Sequence, residues 1–290
     1  MRTKISTVFA ALLLGIGVLL LCYPFISNIV IQALQEQVAK EQIIAAQSLG
    51  EDEASAELAR CRTFNKALHD GMVRVSDPFD PETFSTDVAD YKDLLNISGD
   101  EVMGSVEIPS IRSVVPIYHG VSEAALEQGA GHLPTTSLPV GGKSTHCVLA
   151  GHTGLPSVRI FDDIEKLRSG DYIFIDVLGK RNAYKVTSTE VVLPEQTESL
   201  LIKGGQDLLT LVTCTPYGVN SHRLLVHAKR CKVPADAAVP SAIAETIHIP
   251  GWVWPAIGLV IFLLIVLAIL RRVLGGQKPR KSAKHSKDEV

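Results

Sequence analysis

The chain has 290 residues, with 28 Lys and Arg against 31 Asp and Glu, for a net charge of −3. That length gives room for one large or two small domains. The charge is unevenly placed: the last twenty residues hold seven basic and two acidic groups, the amino end adds Arg2 and Lys4, and the rest therefore carries about −10. So acidic a body argues against nucleic acid as a partner. No Cys-x-x-Cys or Cys/His metal spacing occurs, which argues against zinc, and nothing calls for a cofactor.

In chain order, Ile5 to Ser27 is the first stretch without a charged residue, and Gly251 to Leu270 is the second. Each exceeds the ~18 apolar residues that suggest a spanning helix. Arg2 and Lys4 precede the first; Arg271, Arg272, Lys278 and further basic residues follow the second. The positive-inside rule then expects both termini in the cytoplasm and the middle outside. Trp252 and Trp254 stand where an aromatic belt would. The first run is long for a signal-peptide core, and no Ala-x-Ala site follows it. "LLLC" at Leu19 to Cys22 departs from a lipoprotein site because Leu21 is not small. A retained anchor is the expectation. The basic tail suits anionic lipid headgroups, or serves only to set topology.

From Ile29 to about Met72 apolar residues recur at helical period: Ile31, Leu34, Val38 and Ile43, then Leu58, Ala59, Phe64 and Leu68. Gly50 and the acidic run after it predict a split into two helices. "VSDPFDPE", Val75 to Glu82, cannot be helix interior or central strand because proline fixes φ and lacks a donor. On composition it is a polar linker. A polar connection with a helical turn near Tyr91 follows. From Val102 valine and isoleucine alternate between Gly and Pro breaks. Two strands fall in "VMGSVEIPSIRSVVPIYHG", another in "STHCVLAGH", and four more in "DYIFIDVLG", "NAYKVTSTEVVLP", "DLLTLVTC" and "HRLLVHAKR". "SVRIFDDIEKLRSG" predicts a short helix ending at Gly170. The sum is a closed, mainly β domain, followed by a spacer after Val233.

Five cysteines are present: Cys22 in the first span, and Cys61, Cys147, Cys214 and Cys231 outside it, where disulfides are permitted. Cys214 ends a strand of leucines and valine, before a Pro-Tyr-Gly turn, and Arg223 restarts a strand nine residues on. Such an arginine can face the same site and activate a thiol; the plainer alternative is a buried cysteine. Thiol chemistry needs a histidine. His152, in the Gly-flanked turn "LAGHTGLPS", is the best placed, although a lone histidine there is commonly structural. His222 faces away from Arg223 by strand alternation, and His146 and His227 lie within strands. Cys147 is the rival thiol, at a mid-strand position that favours burial.

"TLVTC" with Arg223 after "TPYGVNSH", "AGHTGLP" upstream, and the longer strings "GAGHLPTTSLPVGG" and "TLVTCTPYGVNSHRLLVHAKR" resemble the sortases of Gram-positive bacteria, and among them the pilus-assembling class C branch. The resemblance covers roughly Asp70 to Lys232 plus the two spans. It implies an eight-stranded β-barrel with short helices, preceded by an N-terminal helical and lid segment and flanked by two transmembrane helices. The parts would be 1–27 (cytoplasmic end and anchor), 28–100 (extracellular helices and lid), 101–233 (catalytic barrel), 234–250 (spacer), 251–270 (second span) and 271–290 (basic tail). It implies a site of Cys214 as nucleophile, His152 as general acid and base, and Arg223 as oxyanion or substrate stabiliser. The implied reaction cleaves a Leu-Pro-x-Thr-Gly-like sorting signal after Thr, through a thioacyl intermediate, and joins it to a pilin lysine. A sortase anchoring proteins to peptidoglycan would use the same residues; a non-catalytic membrane scaffold is the alternative of another class. Asp77, Pro78 and Phe79 match the Asp-Pro-aromatic lid of class C sortases, with Asp77 expected on Arg223 and Phe79 over Cys214. "LPTTS", Leu133 to Ser137, imitates a sorting signal but lacks its glycine, and is read as a loop of the enzyme.

Overall fold

The computed structural model describes residues 2–71, 75–80, 90–155, 158–244 and 258. The chain divides into residues 1–22 with 247–290, and residues 23–246; all packing below belongs to the second unit. Helix α1 runs Arg2–Ser48 without a break at residue 27, where the sequence suggested a boundary. Pro24 lies inside it, and the Asn28 amide donates to the Pro24 carbonyl at 2.8 Å. Its apolar stretch is long enough to cross a bilayer, with mean hydropathy 1.9. The second expected span, 251–270, and the basic tail lie outside the described residues apart from position 258.

Gly50 separates α1 from α2, Glu51–Asp70. Eight strands then close a barrel: β1 Val102–Ile108, β2 Ser113–His119, β3 Ala130–His132, β4 Thr145–Ala150, β5 Tyr172–Val177, β6 Lys180–Val192, β7 Asp207–Thr215 and β8 His222–Cys231. Their order around the barrel is β1-β2-β3-β4-β7-β8-β6-β5. The β2–β3 and β4–β7 pairs are parallel and the others antiparallel. Closure removes exposed strand edges. The interior is filled by side chains such as Met103, Ile117, Leu149, Ile175, Leu211 and Val226.

β1 is buried along its whole length, not at alternate positions. Gln42 of α1 donates to the Val102 carbonyl at 2.8 Å, and Val38 packs on Val102 and Tyr118. Gln35 reaches the Gln128 carbonyl at 3.0 Å. The face of α1 that meets the barrel thus includes two buried glutamines, while Leu34, an expected apolar contact, is 54% exposed. Two short elements had no sequence signal: α3, Glu123–Gln128, capped by Ser122, and β3. Of the helix expected over 157–170, the described residues, 158–170, hold a single 3-10 turn at Ile164–Lys166. There Asp162 and Asp163 bind loop partners, Gly154, Arg159 and Lys166, as short acidic side chains do outside helices.

Candidate active site

Strand alternation decides which side chains can meet. Leu209, Leu211, Leu224 and Val226 fill the barrel, so Val212, Cys214, Arg223 and Leu225 take the other face of β7 and β8. Register then sets Cys214 directly opposite Arg223. The second apolar cluster covers this face and includes Val148, Val212 and Leu225, with Val75 and Phe79 packed on it.

His152 follows β4, the parallel neighbour of β7. The Gly151 amide donates to the Val212 carbonyl at 3.0 Å, and the Thr213 hydroxyl donates to the Gly151 carbonyl at 2.7 Å. The residue before His152 is therefore fastened to the two residues before Cys214. Gly151 must lack a side chain, because a Cβ would meet the Phe161 ring at 2.6 Å. The turn closes through Phe161 N to His152 O at 3.1 Å and Gly154 N to Asp162 Oδ1 at 3.1 Å. On the other side of β7, the cis Thr215–Pro216 peptide opens the turn that returns to β8.

The segment 75–80 lies on this site. Arg223 donates a forked pair to Asp77, Nε to Oδ1 at 2.8 Å and Nη2 to Oδ2 at 2.6 Å. The Phe79 ring sits 5.1 Å from the Arg223 guanidinium carbon and 5.8 Å, centroid to centroid, from the His152 ring. Pro78 is buried. All six residues singled out in the sequence are thus gathered on one face. The ring contacts of Phe79 are with Arg223 and His152, the two flanks of the cysteine.

Cys214 is 8% exposed. Burial raises its pKa above the ordinary thiol value; Arg223 opposes that and Asp77 adds to it. Arg223 is also raised: burial works against its charge, but the hydrogen bonds to Asp77 and the charges of Cys214, Asp77 and Asp80 outweigh it. The rival Cys147 is in the core, where burial pushes its thiol far up and the charge of Asp207 adds to that. All five cysteines are free thiols. The "LPTTS" loop is internal: Leu133 and Ser137 are buried, and the Thr136 hydroxyl donates to Leu133 O at 2.7 Å. Among the described residues no group of His, Cys, Asp and Glu could hold a metal.

Three residues at the site had no signal of their own in the sequence. Glu123 Oε1 lies 3.5 Å from His152 Nε2. Thr197 donates to the Val75 carbonyl at 2.9 Å, tying the β6–β7 loop to the segment 75–80. Thr213 was legible only as a letter of the motif.

The sortase domain family matches residues 106–231. Sortase A of Streptococcus agalactiae is 30% identical over 151 residues; the match covers 50% of this chain, which spans 60% of that protein's length. Among solved structures, a mutant of sortase C-1 from Streptococcus pneumoniae is 39% identical, with a TM-score of 0.64 over 69% of this chain and 99% of that one. A sortase C of Streptococcus pneumoniae, described for its catalysis and pilin substrate specificity, is also 39% identical, with a TM-score of 0.62 over 68% and 97%. The chain belongs to the sortase family. Its structural neighbours are class C sortases.

Proposed function

We propose that the chain is a membrane-anchored cysteine transpeptidase that joins pilin subunits. The observation that carries this reading is the cross-strand pair of Cys214 and Arg223, with His152 fastened beside it and the segment 75–80 seated on top. The Cys214 thiolate attacks the carbonyl carbon of the sorting-signal threonine. The carbonyl π pair moves to oxygen, and Arg223 stabilises that oxyanion with a planar charge that persists at every working pH. Collapse breaks the Thr–Gly C–N bond. His152 in its protonated form gives the proton the leaving amine needs. A pilin lysine, as free amine, then attacks the thioester; the C–S bond breaks, an isopeptide bond forms, and neutral His152 takes the proton the amine loses.

Asp77, Pro78 and Phe79 act in this reading as a lid that the sorting signal displaces. The lid works in two ways. Phe79 covers the site, and Asp77 both occupies Arg223 and raises the Cys214 pKa. Its removal frees the oxyanion stabiliser and favours the thiolate together. Pro78 reduces the entropy lost when the piece docks. The proposed setting is two spans with both termini in the cytoplasm, the barrel outside, and the basic tail against lipid headgroups.

Reconstitution with a pilin bearing a sorting signal and an acceptor lysine tests the function. Ladder-like covalent polymers with a mapped Thr–lysine isopeptide are the expected product. Pilin monomer attached to a peptidoglycan amine, with no polymer, would instead identify a wall-anchoring sortase.

A further inference from the structure

An amine acceptor carries a problem that water does not. At neutral pH a lysine side chain arrives as an ammonium ion, and it must both dock and lose a proton before it can attack. The proposed site offers it a cation, Arg223. With the lid in place Asp77 balances that charge; once the lid is displaced, Asp77 leaves with it. A carboxylate is then needed on the barrel itself.

We propose that Glu123 docks the ammonium group of the acceptor beside His152. The proposal rests on the transpeptidase reading above. Glu123 opens α3, whose backbone is fixed: Ser122 Oγ accepts from the Ala125 amide at 3.3 Å, and Ala125 and Leu126 are buried. The Glu123 side chain is 72% exposed, and its carboxylate has no partner among the described residues except His152 Nε2, at 3.5 Å. That nitrogen is buried and makes no hydrogen bond. A largely exposed acid side chain and a buried imidazole nitrogen without a hydrogen bond thus stand side by side. Of the other acids of the His152 loop, Asp163 pairs with Arg159 and Lys166, and Asp162 is differently occupied. Its Oδ1 accepts from Gly154, and burial raises its pKa, which favours the neutral form.

The geometry suits an ammonium bridging Glu123 and neutral His152. Glu123 holds one N–H by charge, and a second proton passes to Nε2. The free amine attacks the thioester carbonyl; the C–N bond forms, the C–S bond breaks, and the amine's remaining surplus proton goes to the departing Cys214 thiolate. The balance is ammonium plus thioester giving amide, thiol and one proton on His152.

The test uses the full-length chain in detergent, a peptide carrying Leu-Pro-x-Thr-Gly, and two acceptors: a lysine peptide, charged at pH 7, and hydroxylamine, which is not. The readout is the ratio of second-order constants for lysine over hydroxylamine. Glu123→Gln lowers that ratio by about fivefold, the scale of one partly exposed ion pair, and raises the share of thioester lost to water. Glu123→Asp keeps most of the ratio, and Glu123→Lys loses more than Glu123→Gln. An unchanged ratio in Glu123→Gln overturns the proposal, whether both constants hold or both fall. A joint fall would make Glu123 a positioning residue for His152 only. A wild-type chain that forms no peptide adduct on Cys214 removes the transpeptidase reading and this proposal with it, and that outcome is seen before any acceptor is added.

Discussion

Arg181 and Arg223 stand near opposite ends of β6, one on it and one paired across from Val192, and they hold nearly the same set of partners. Arg181 forks onto Asp176 at 2.8 and 2.7 Å, contacts Glu107, and lies 4.6 Å from the Phe174 ring centre. Arg223 forks onto Asp77 at 2.8 and 2.6 Å and lies 5.1 Å from the Phe79 ring centre. The difference is where the partners come from. Asp176 is the register partner of Arg181 in the β5–β6 ladder, so the pair cannot part while the sheet stands. Arg181 also donates to the Ala237 carbonyl at 2.9 Å, pinning the segment that leaves the barrel. Asp77 is 146 residues from Arg223, and no strand carries it. One chemistry thus makes a fixed clamp where the sheet holds the acid and a removable cover where it does not.

Substitutions that separate these two roles sharpen the comparison, and the largest effect is expected at the sulfur itself. Cys214→Ala is expected to give neither thioacyl adduct nor polymer, read by intact mass and gel, with the melting temperature close to wild type. Cys147→Ala is expected to stay active; loss of activity there would exchange the two thiols. Next, Arg223→Ala should lower turnover by about 10²–10³, the scale of a lost oxyanion donor, with little change in thermal stability. Arg181→Ala should do the reverse. Leaving Glu107 and Asp176 buried without their cation costs about 3–5 kcal/mol, or roughly 10 °C for a domain of this size. If Arg223→Ala is the variant that melts early, its pairing with Asp77 is structural and the cover is not removable.

The same contrast governs what the sequence could disclose. β7 and β8 were readable because alternating Leu and Val fix a face, and the face fixes Cys214 against Arg223. The Asp-Pro-Phe segment was composition alone until motif resemblance gave it a partner, since no local rule joins residues 146 apart. α3 and β3 were missed because six and three residues are too few to display a period. The stretch 157–170 misled because Ile160, Phe161, Ile164 and Leu167 are spaced like a helix face but are buried as a core-filling loop. Glu123 was invisible for a different reason: its meaning lies in a contact with His152 that exists only after α3 packs.

Smaller effects test the cover itself, through alkylation of Cys214 by a small thiol reagent. The Cys214 pKa is raised by burial first, with Asp77 adding and Arg223 opposing. Removing Asp77 deletes a raising cause and the fork that holds the segment. Asp77→Asn, alone or with Phe79→Ala, should therefore move the rate–pH curve to lower pH, and the loss of a latch bond worth about 0.5–1.5 kcal/mol should by itself speed alkylation at pH 7 by about two- to tenfold. Arg223→Lys keeps a cation but loses the fork, so it should speed alkylation less than Asp77→Asn. A curve that moves to higher pH in Asp77→Asn would mean that the acid is not acting on the sulfur.

The smallest expected effect comes from Thr197. Its hydroxyl donates to the Val75 carbonyl at 2.9 Å, a hydrogen bond between the β6–β7 loop and the 75–80 segment. Thr197→Val keeps the shape and removes that bond, a loss of about 0.5–1.5 kcal/mol. If the bond exists only while the cover is closed, its whole loss appears in the closed state. The open population then rises by about two- to tenfold, and alkylation at pH 7 rises with it. Unlike Asp77→Asn, this substitution removes no charge near Cys214, so the rate should rise with a smaller shift along the pH axis than in Asp77→Asn. The pair of variants therefore separates the two actions of the cover: Thr197→Val reports opening alone, and Asp77→Asn reports opening plus the change in the thiol. An unchanged rate in Thr197→Val would show that this bond does not hold the cover, and a pH shift as large as that of Asp77→Asn would show that the loop acts on the sulfur by another route.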